Sequence, residues 1–409
     1  MREYEHTTLS NLVLETKDGD WGRDAPADGY LPYRVIRGAD FPSVRRGEVS
    51  TVPVRYLSAQ TTGRRTLQPG DIIIETAGGT RDRSTGRTLL INESLFDRIG
   101  TSVTCASFAR FLRIDTLKAD PRFIYWYLQN LHESGAMWEH QVQHTGVARF
   151  QYTRFASTHQ ILLPARHDQE AIAGILSALD EKIAVNDRIT SIVDDLAAVL
   201  FEEHIRDDAG ISNVQLSHVA DVNQRKTVPV TGGSLRYIDI SSVSAGKVEW
   251  PKITSWDDAP SRARRAVSLG DTIWSTVRPN RKSFALILDD DPALVASTGF
   301  AVLTPTKVGS AFLYEVTKRE VFVQYLESVA EGSAYPAVRA ERFERATIPL
   351  PSPDRLSKFE SIAMPLRRRA HAAEVESRTL AALRHELLPK LMSGEIRVQH
   401  AEKVVEDVT

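Results

Sequence analysis

Residues 169–189 read QEAIAGILSALDEKIAVNDRI, and apolar side chains recur in this stretch at alternating steps of four and three residues. The pattern begins at Ile172 and continues over about four heptads through Leu176, Leu179, Ile183, Asn186, Thr190, Val193, Ala197 and Leu200. A stripe this narrow predicts a long helix that packs its seam against another helix, as in a coiled coil. Asn186, in the middle of the seam, fits a polar residue that sets the register. Asp168, after Pro164, is a candidate helix cap.

A second helix of this kind is predicted toward the end of the chain. Its apolar positions are Phe359, Leu366, Ala373, Leu380, Leu387 and Leu391. The two helices can bury their seams against each other as an antiparallel pair, although each could instead pack on its own domain as an ordinary amphipathic helix. The narrow stripes favour the pair. Pro365 lies early in the second helix and predicts a kink or a late helix start.

Outside these helices the chain repeats itself. PGDIIIETAGG at 69–79 resembles LGDTIWSTVRP at 269–279, and each is an apolar strand pattern entered through Gly-Asp. Three further matches follow in the same order: FARFLRI (108–114) with FAVLTPT (300–306), FIYWYLQN (123–130) with FLYEVTKR (312–319), and QILLP (160–164) with TIPLP (347–351). The offset shortens steadily from 200 to 187 residues, as expected of a duplication followed by changes in loop length. We therefore expect an α+β fold with two copies of one unit, each a mixed domain followed by a long helix.

Composition and charge narrow the class of protein. The 409 residues exceed what one hydrophobic core usually serves. No apolar run is long enough to span a membrane and the N-terminus has no secretory signal pattern, so we expect a cytoplasmic protein without a membrane partner. The single cysteine, Cys105, excludes an internal disulfide framework, and we expect it to be a buried small hydrophobe.

The formal net charge of −2 argues at first against a nucleic-acid binder. The acidic excess is local, however, because residues 164–208 contain four Lys and Arg against eleven Asp and Glu. If this segment is a spacer held away from DNA, both flanking domains are mildly basic.

Several motifs resemble the DNA-specificity subunits of type I restriction-modification systems. RYIDISSVSAGKV at 236–248, GDTIWSTVRPNRK at 270–282 and ASTGFAVL at 296–303 resemble the target-recognition domains of that family. PGDIIIETAGG followed by TGR at 85–87 resembles a variant of the same domain. The stretch 169–189 and LLPKLMSGEIRV at 387–398 resemble the two spacer helices of the family.

The resemblance implies two duplicated target-recognition domains separated by two long antiparallel coiled-coil helices. The expected segments are 1–163 for the first domain, 164–206 for the first spacer helix, 207–350 for the second domain, 351–393 for the second spacer helix and 394–409 for a C-terminal tail. The resemblance also implies that each domain reads one half of a split site in double-stranded DNA, and that the chain has no chemistry of its own. It would bind two methyltransferase subunits, which bring S-adenosylmethionine, and the complex would recruit ATP-driven restriction subunits. The alternative is a targeting or scaffold subunit of another phage-defence complex with the same fold.

In the second domain, the sequence places candidate DNA contacts just after a strand. Arginine reads guanine, asparagine reads adenine, and Lys and Arg also hold phosphates. The best candidates share one loop: Arg278, Asn280, Arg281 and Lys282. A solvated turn is the alternative. A second cluster suits phosphates better than bases: Arg262, Arg264 and Arg265.

In the first domain, the equivalent loop carries Arg81, Arg83 and Arg87, and Arg64 and Arg65 precede it. By the repeat, Gln143–Gln151 matches Gly332–Arg339, and both suit loops that approach a groove. Their candidates are His144, Thr145 and Arg149 in the first domain and Tyr335 and Arg339 in the second. Alternatively, Tyr335 and Arg339 brace the second domain against its helix.

An enzyme is the competing hypothesis, but its motifs are missing. The sequence has no P-loop, and Gly78-Gly79 lacks the spacing of a dinucleotide fingerprint. His140 and His144 have helical ligand spacing without a third ligand. Asp71 and Glu75 suggest a nuclease metal pair, but the second copy has Ser275 where the first has Glu75, which favours a structural role at the strand end. We therefore expect no catalytic residues, metal or cofactor in this chain.

Overall fold

The computed structural model describes residues 5–80, 82–99, 102–144, 147–206 and 210–406, with only the backbone of His144. These residues form two compact units. The first unit comprises the described residues up to Arg188 together with those from Val375 onward, and the second spans Ile189–Glu374. The division falls inside both long helices, so each unit contains part of each helix.

The first unit mixes twelve strands with short helices. Its strands are β1 (Glu5–Thr8), β2 (Val13–Asp18), β3 (Tyr30–Ile36), β4 (Val54–Ser58), β5 (Ile72–Glu75), β6 (Ala77–Gly79), β7 (Thr88–Leu90), β8 (Val103–Cys105), β9 (Ala109–Ile114), β10 (Gln141–His144), β11 (Val147–Phe150) and β12 (Gln160–Leu163). Its helices are α1 (Leu9–Leu12), α2 (Phe41–Arg45), α3 (Ala59–Thr62), α4 (Glu93–Ile99), α5 (Pro121–Glu133) and α6 (Tyr152–Thr158), and the long helix α7 (Arg166–Arg206) begins in it.

The second unit is built from a similar set of elements. Its strands are β13 (Ser212–Gln215), β14 (Ala220–Val222), β15 (Ser234–Ile238), β16 (Val243–Ser244), β17 (Lys247–Val248), β18 (Ile253–Ser255), β19 (Ala263–Ala266), β20 (Thr272–Ser275), β21 (Phe284–Leu286), β22 (Leu294–Ser297), β23 (Phe300–Pro305) and β24 (Thr347–Leu350). Its helices are α8 (Ser310–Lys318), α9 (Glu320–Ser328) and α10 (Ala340–Glu344), and the long helix α11 (Pro353–Ser393) begins in it.

The two units repeat one sheet framework, which confirms the predicted duplication. The antiparallel order β2-β9-β5-β7 in the first unit recurs as β14-β23-β20-β21 in the second. A second sheet, β4-β3-β8, recurs as β18-β15-β22 with β19 added, and in both copies the last two of these three strands are parallel. The pairs β1-β12 and β13-β24 join the start of each domain to the strand before its long helix.

The two Gly-Asp strands lie at the centre of this framework. All four residues of β5 and of β20 are buried, as expected of strands that are covered on both faces. Gly70 and Gly270 precede them with φ of 92° and 89°, a left-handed conformation that favours glycine. Cys105 on β8 is fully buried as predicted, and burial raises the pKa of its thiol to about 12.

Within each unit the two long helices run antiparallel and share a seam, as predicted. In the first unit, Asn186 donates a hydrogen bond to Glu376 at 2.8 Å. Asp180, six residues before Asn186 on α7, pairs with Arg384, eight residues after Glu376 on α11, so the two helices run in opposite directions. In the second unit, the rings of Phe201 and Phe359 meet edge to face at 5.6 Å. These contacts lie within the predicted spacer segments 164–206 and 351–393.

The helix pair is also part of each domain core, so the alternative of packing on the domain is true as well. In the first unit, Leu176 on α7 and Leu387 on α11 belong to the same buried cluster as Phe123 and Trp126 of α5. Burial of a large apolar side chain is worth about 1.5–3 kcal/mol, so this shared core fixes both helices to the domain.

Two predictions about helix ends were wrong. The second helix does not start late at Pro365, because α11 begins at Pro353 and continues through the proline, with Phe359 and Ala363 buried in the turns before it. Packing of these turns outweighs the hydrogen bond that the proline cannot donate. The alternative, a kink at Pro365, stays a prediction. Asp168 is not the cap, because its N–H already bonds to the Ala165 carbonyl and the helix begins at Arg166. Its carboxylate lies in the first turn, where the helix dipole favours a negative charge.

The segment predicted as a C-terminal tail contains a further helix. This helix, α12 (Val398–Glu406), places the fully buried Ala401 in the core of the first unit, beside Val398 and Val405. The last part of the described chain therefore completes the first unit.

Candidate nucleic-acid interface

Arg278 occupies a strained position three residues after the end of β20. Its backbone is left-handed, with φ of 52°, and its N–H donates to the Pro336 carbonyl at 2.7 Å. Its guanidinium lies over the Tyr335 ring, 4.4 Å from the ring centre, and donates to the Ala334 carbonyl at 3.3 Å. No carboxylate of the described chain lies within ion-pair distance of it. The planar donor group is therefore oriented by an aromatic ring but not neutralised.

The structure divides the other predicted residues of this loop into two kinds. Asn280 and Arg281 are exposed and have no ion-pair partner among the described residues. Lys282 instead pairs with Glu320 at 2.7 Å, and Arg339 pairs with Glu331 at 3.0 Å. Tyr335 is 68% exposed, and the Arg278 guanidinium lies over its ring. Asn280 and Arg281 thus remain available to a ligand, while Lys282 and Arg339 are already engaged.

The second predicted cluster, Arg262, Arg264 and Arg265, lies at the start of β19 and along it. Arg262 is exposed, and Arg264 and Arg265 are half-buried. Burial lowers the pKa of Arg265. None of the three has a carboxylate partner in the described part of the chain.

Lys226 joins this basic cluster and was missed by the sequence reading. It forms a backbone bridge with Arg265, its side chain is exposed, and no carboxylate of the described residues contacts it. The sequence does show two adjacent basic residues, Arg225 and Lys226. It does not show that Lys226 lies beside Arg265, which is some 40 residues further along the chain.

In the first unit the predicted residues are more dispersed. Arg87 forms a double hydrogen bond with the buried carboxylate of Glu75, at 2.6 and 3.0 Å, so it fits a structural pair better than a DNA contact. Arg83 donates to the Gly78 carbonyl at 3.1 Å, and Arg65 donates to the Asp18 carbonyl at 3.1 Å.

Two predicted residues of this unit are exposed without a side-chain partner among the described residues. They are Arg64, after α3, and Arg149, on β11. Arg81 and Thr145 lie outside the described residues, and of His144 only the backbone, on β10, is described.

Both units bring together two segments that are far apart in the sequence. In the first, β6 pairs with β11, which places Arg149 opposite Ala77. In the second, Val277 bridges Ala337. In each unit, the loop after the Gly-Asp strand therefore lies beside the second predicted loop, which is 143–151 in the first unit and 332–339 in the second. A joint DNA-reading surface would need this arrangement.

The features that suggested an enzyme have structural explanations. The Asp71 carboxylate accepts the Gln68 N–H at 2.7 Å and pairs with Arg113 at 2.8 Å. Burial raises the pKa of this carboxyl group, although Arg113 opposes the shift. Asp271 caps the equivalent turn through the Ser268 N–H at 2.8 Å, which confirms a structural role at the strand end.

The two histidines are four residues apart, as in a helical ligand pair, but they do not lie on one helix. His140 ends a short 3₁₀ helix (Ala136–His140), and His144 follows on β10, so the two do not share one helix face. The described residues contain no group of three or more metal-ligating side chains placed to hold an ion. Nor does any helix among them combine the length and apolar character needed to cross a bilayer.

Comparison with known proteins identifies this architecture. The type I restriction-modification system S subunit from M. genitalium superposes with a TM-score of 0.62 at 15% identity, over 95% of this chain and 96% of that one. This chain shares its fold with a type I specificity subunit. The HsdS subunit from Thermoanaerobacter tengcongensis is 18% identical over 96% of this chain and 97% of that one, with a TM-score of 0.35.

The sequence match is shorter. The Type I restriction enzyme HindI specificity subunit of Haemophilus influenzae is 24% identical over 134 residues, which are 32% of this chain. The match spans 29% of that relative's length. No protein-family model matches the chain. The resemblance read from the sequence is thus confirmed for the fold and for part of the sequence.

Proposed function

We propose that this chain is the DNA-specificity subunit of a type I restriction-modification complex, in which each unit reads one half of a bipartite DNA target. The observation that carries the proposal is the repeated framework, in which each unit sets a polar loop beside the same central strand. A duplicated reader suits a target made of two separate half-sites. The chain would supply no chemistry, and S-adenosylmethionine and ATP would bind to partner subunits in the cytoplasm.

In the second unit, recognition would divide between bases and phosphates. The oriented guanidinium of Arg278 and the exposed side chains of Asn280 and Arg281 suit base edges in the major groove. The unpaired cations of the Arg262–Arg265 strand suit the flanking phosphates. The first unit would use Arg64, Arg83 and Arg149 in a more dispersed surface.

We assign methyltransferase docking to the outer face of α7. Ile192, Leu196 and Val199 are 57%, 42% and 64% exposed and are spaced to lie on one face of the helix. Asp195 and Glu203, both exposed, flank them. This surface fits an amphipathic helix of the partner whose apolar stripe is bordered by Lys and Arg.

The docking assignment can be tested by co-purification of the chain with a type I methyltransferase subunit of its host. Ile192→Lys with Leu196→Lys should abolish co-elution while DNA binding by the chain remains. The matched control is Val321→Lys, which replaces another exposed valine on helix α9 and should leave co-elution intact. Co-elution of the double variant at the wild-type level would place docking elsewhere.

Methylome sequencing of a host with and without this gene tests the function itself. We expect a split methylated motif that appears only when the chain and its methyltransferase are both present, and no methyl transfer by the chain alone. If a different enzyme co-purifies and no motif appears, the chain serves another phage-defence complex instead.

A further inference from the structure

The loop that joins β14 to β15 carries exposed apolar side chains, and Lys and Arg residues lie beside it. We name residues 223–233, NQRKTVPVTGG, the Val-Pro-Val loop. Val228 is 72% exposed and Val230 is 56% exposed, on either side of Pro229. A single exposed valine is ordinary, but two that flank a proline present a stiff apolar ridge to solvent.

This loop is held in place by main-chain hydrogen bonds rather than extending freely. The Thr227 N–H donates to the Arg264 carbonyl at 3.1 Å, and the Gly233 N–H donates to the Val230 carbonyl at 2.8 Å. At its start, the Asn223 side chain accepts the Val302 N–H at 2.9 Å. The valine tips are therefore positioned before any ligand arrives, which lowers the entropy lost on binding.

Unpartnered cations adjoin the ridge. Lys226 precedes it in the chain, and through the Thr227 bond the loop lies against Arg264, next to Arg265. None of these three cations pairs with a carboxylate of the described residues. An apolar tip surrounded by such cations matches duplex DNA, where phosphates border a groove whose apolar group is the thymine methyl.

The equivalent loop of the first unit has different chemistry. Residues 19–29 join β2 to β3 and read GDWGRDAPADG, with three aspartates. This loop folds back on β4, where Arg23 and Tyr56 exchange backbone hydrogen bonds at 2.9 and 3.0 Å, and its Trp21 ring lies under Arg55. Its counterpart of the ridge is the smaller Ala25-Pro26-Ala27, which lies between Asp24 and Asp28, so the combination of valine tips with adjoining cations belongs to the second unit.

We infer that Val228 and Val230 contact the methyl group of a thymine in the half-site read by the second unit. The inference rests on the proposed function. It goes further by naming the base that the loop contacts, thymine, and the group that it recognises, the methyl. The neighbouring cations would hold the phosphates on either side, while the valines distinguish thymine from a base without the methyl.

The test uses the full chain in complex with its methyltransferase and duplexes that carry the methylated motif. Each thymine in turn is replaced by deoxyuridine, which removes only the methyl, and affinity is measured by fluorescence anisotropy. Wild type should lose roughly fourfold in affinity at one thymine of one half-site, the value expected for one buried methyl. Val228→Ala with Val230→Ala should bind the thymine and uracil duplexes equally at that position.

The control is Val321→Ala, another exposed valine of the same unit, which should keep the wild-type preference. Thermal unfolding of each variant verifies that it is folded. The inference is overturned if no single uracil substitution weakens wild-type binding, or if the double variant retains the preference. If wild type binds no bipartite duplex at all, the proposed function itself fails, and the contact fails with it.

Discussion

In each unit, a tyrosine at the same position of the repeat lies beside the charged side chains that link the two long helices. The residue that follows this tyrosine differs between the units. In the first unit, Tyr125 accepts a hydrogen bond from Arg45, and Asp180 of α7 pairs with both Arg45 and Arg384 of α11. Trp126 follows the tyrosine and is buried.

In the second unit, Glu315 follows Tyr314 at the position of that tryptophan and is 2% exposed. Arg367 of α11 pairs with this buried glutamate and, at 2.8 Å, with Asp194 of α7. Its guanidinium also lies over the Tyr314 ring, 4.8 Å from the centre. The change from Trp126 to Glu315 thus replaces an apolar side chain beside the tyrosine with a buried carboxylate, which pairs with Arg367. A buried ionic anchor is more sensitive to loss of one partner, because the charge left behind is costly.

The largest expected effect follows from this contrast. Arg367→Ala should lower the free energy of unfolding of the second unit by about 3–5 kcal/mol, because Glu315 is 2% exposed and would keep only Lys318, at 3.3 Å, as an ion-pair partner among the described residues. Arg384→Ala in the first unit should cost about 1–2 kcal/mol, because the Asp180 side chain is 17% exposed and keeps Arg45 at 3.4 Å. Denaturant unfolding with hydrogen exchange resolved by helix measures both.

The double variant Arg367→Met, Glu315→Leu serves as the control, since removing both charges should recover most of the loss. Equal losses for Arg367→Ala and Arg384→Ala would show that the two anchors do not differ as proposed.

A somewhat smaller effect is expected at the candidate reading loops. Arg278→Ala should cost about 1–3 kcal/mol for one base of one half-site, because a bidentate base contact is worth that much. Arg83→Ala should act only on the other half-site, since Arg83 belongs to the first unit. Methylome sequencing reads both motifs at once. A uniform loss over all sequences would instead assign Arg278 to a phosphate.

The sequence predicted the framework better than the site. Duplication and helix pairing followed from patterns that many residues share, such as the heptads from Ile172 and the two Gly-Asp strands. Such patterns do not predict whether a single Lys or Arg forms an ion pair within the folded chain. Arg87 forms an ion pair with Glu75, and Lys282 forms one with Glu320. Glu320 lies on helix α9, 38 residues after Lys282. Lys226 was missed for the same reason, because only folding brings it beside Arg265.

A further difference between the units should appear on acidification. Burial, reinforced by nearby His140, lowers the pKa of His159 below its usual 6.5, and burial likewise lowers the pKa of His132. Because the unfolded chain binds these protons first, the stability that neutral histidine contributes is present above pH 6.5 and is lost as the pH falls below it. By the repeat, His159 corresponds to Ala346 in the second unit, which does not titrate.

We therefore expect the β10–β11 region of the first unit to exchange amide hydrogens faster at pH 5.5 than at pH 7.5, after correction for the intrinsic rate. His159→Phe should reduce this difference, because a phenyl ring can keep the stacking on Phe155 without gaining a proton. The same pH sensitivity in the variant would assign the effect to other groups.

The smallest effect concerns one phosphate contact and compares equivalent loops of the two units. Lys226 in the Val-Pro-Val loop has no carboxylate partner among the described residues, whereas Arg23 in the first unit's loop lies over the Tyr30 ring, 5.0 Å from its centre. A lysine that neutralises one phosphate releases condensed counterions, so Lys226→Ala should reduce the slope of log affinity against log salt by about 0.9. Arg23→Ala should leave the slope unchanged. Because a phosphate contact does not distinguish bases, Lys226→Ala should weaken specific and non-specific duplexes alike and keep the uracil sensitivity of the valine ridge. A lysine variant that changes the methylated motif but not the salt slope would instead make Lys226 a base reader.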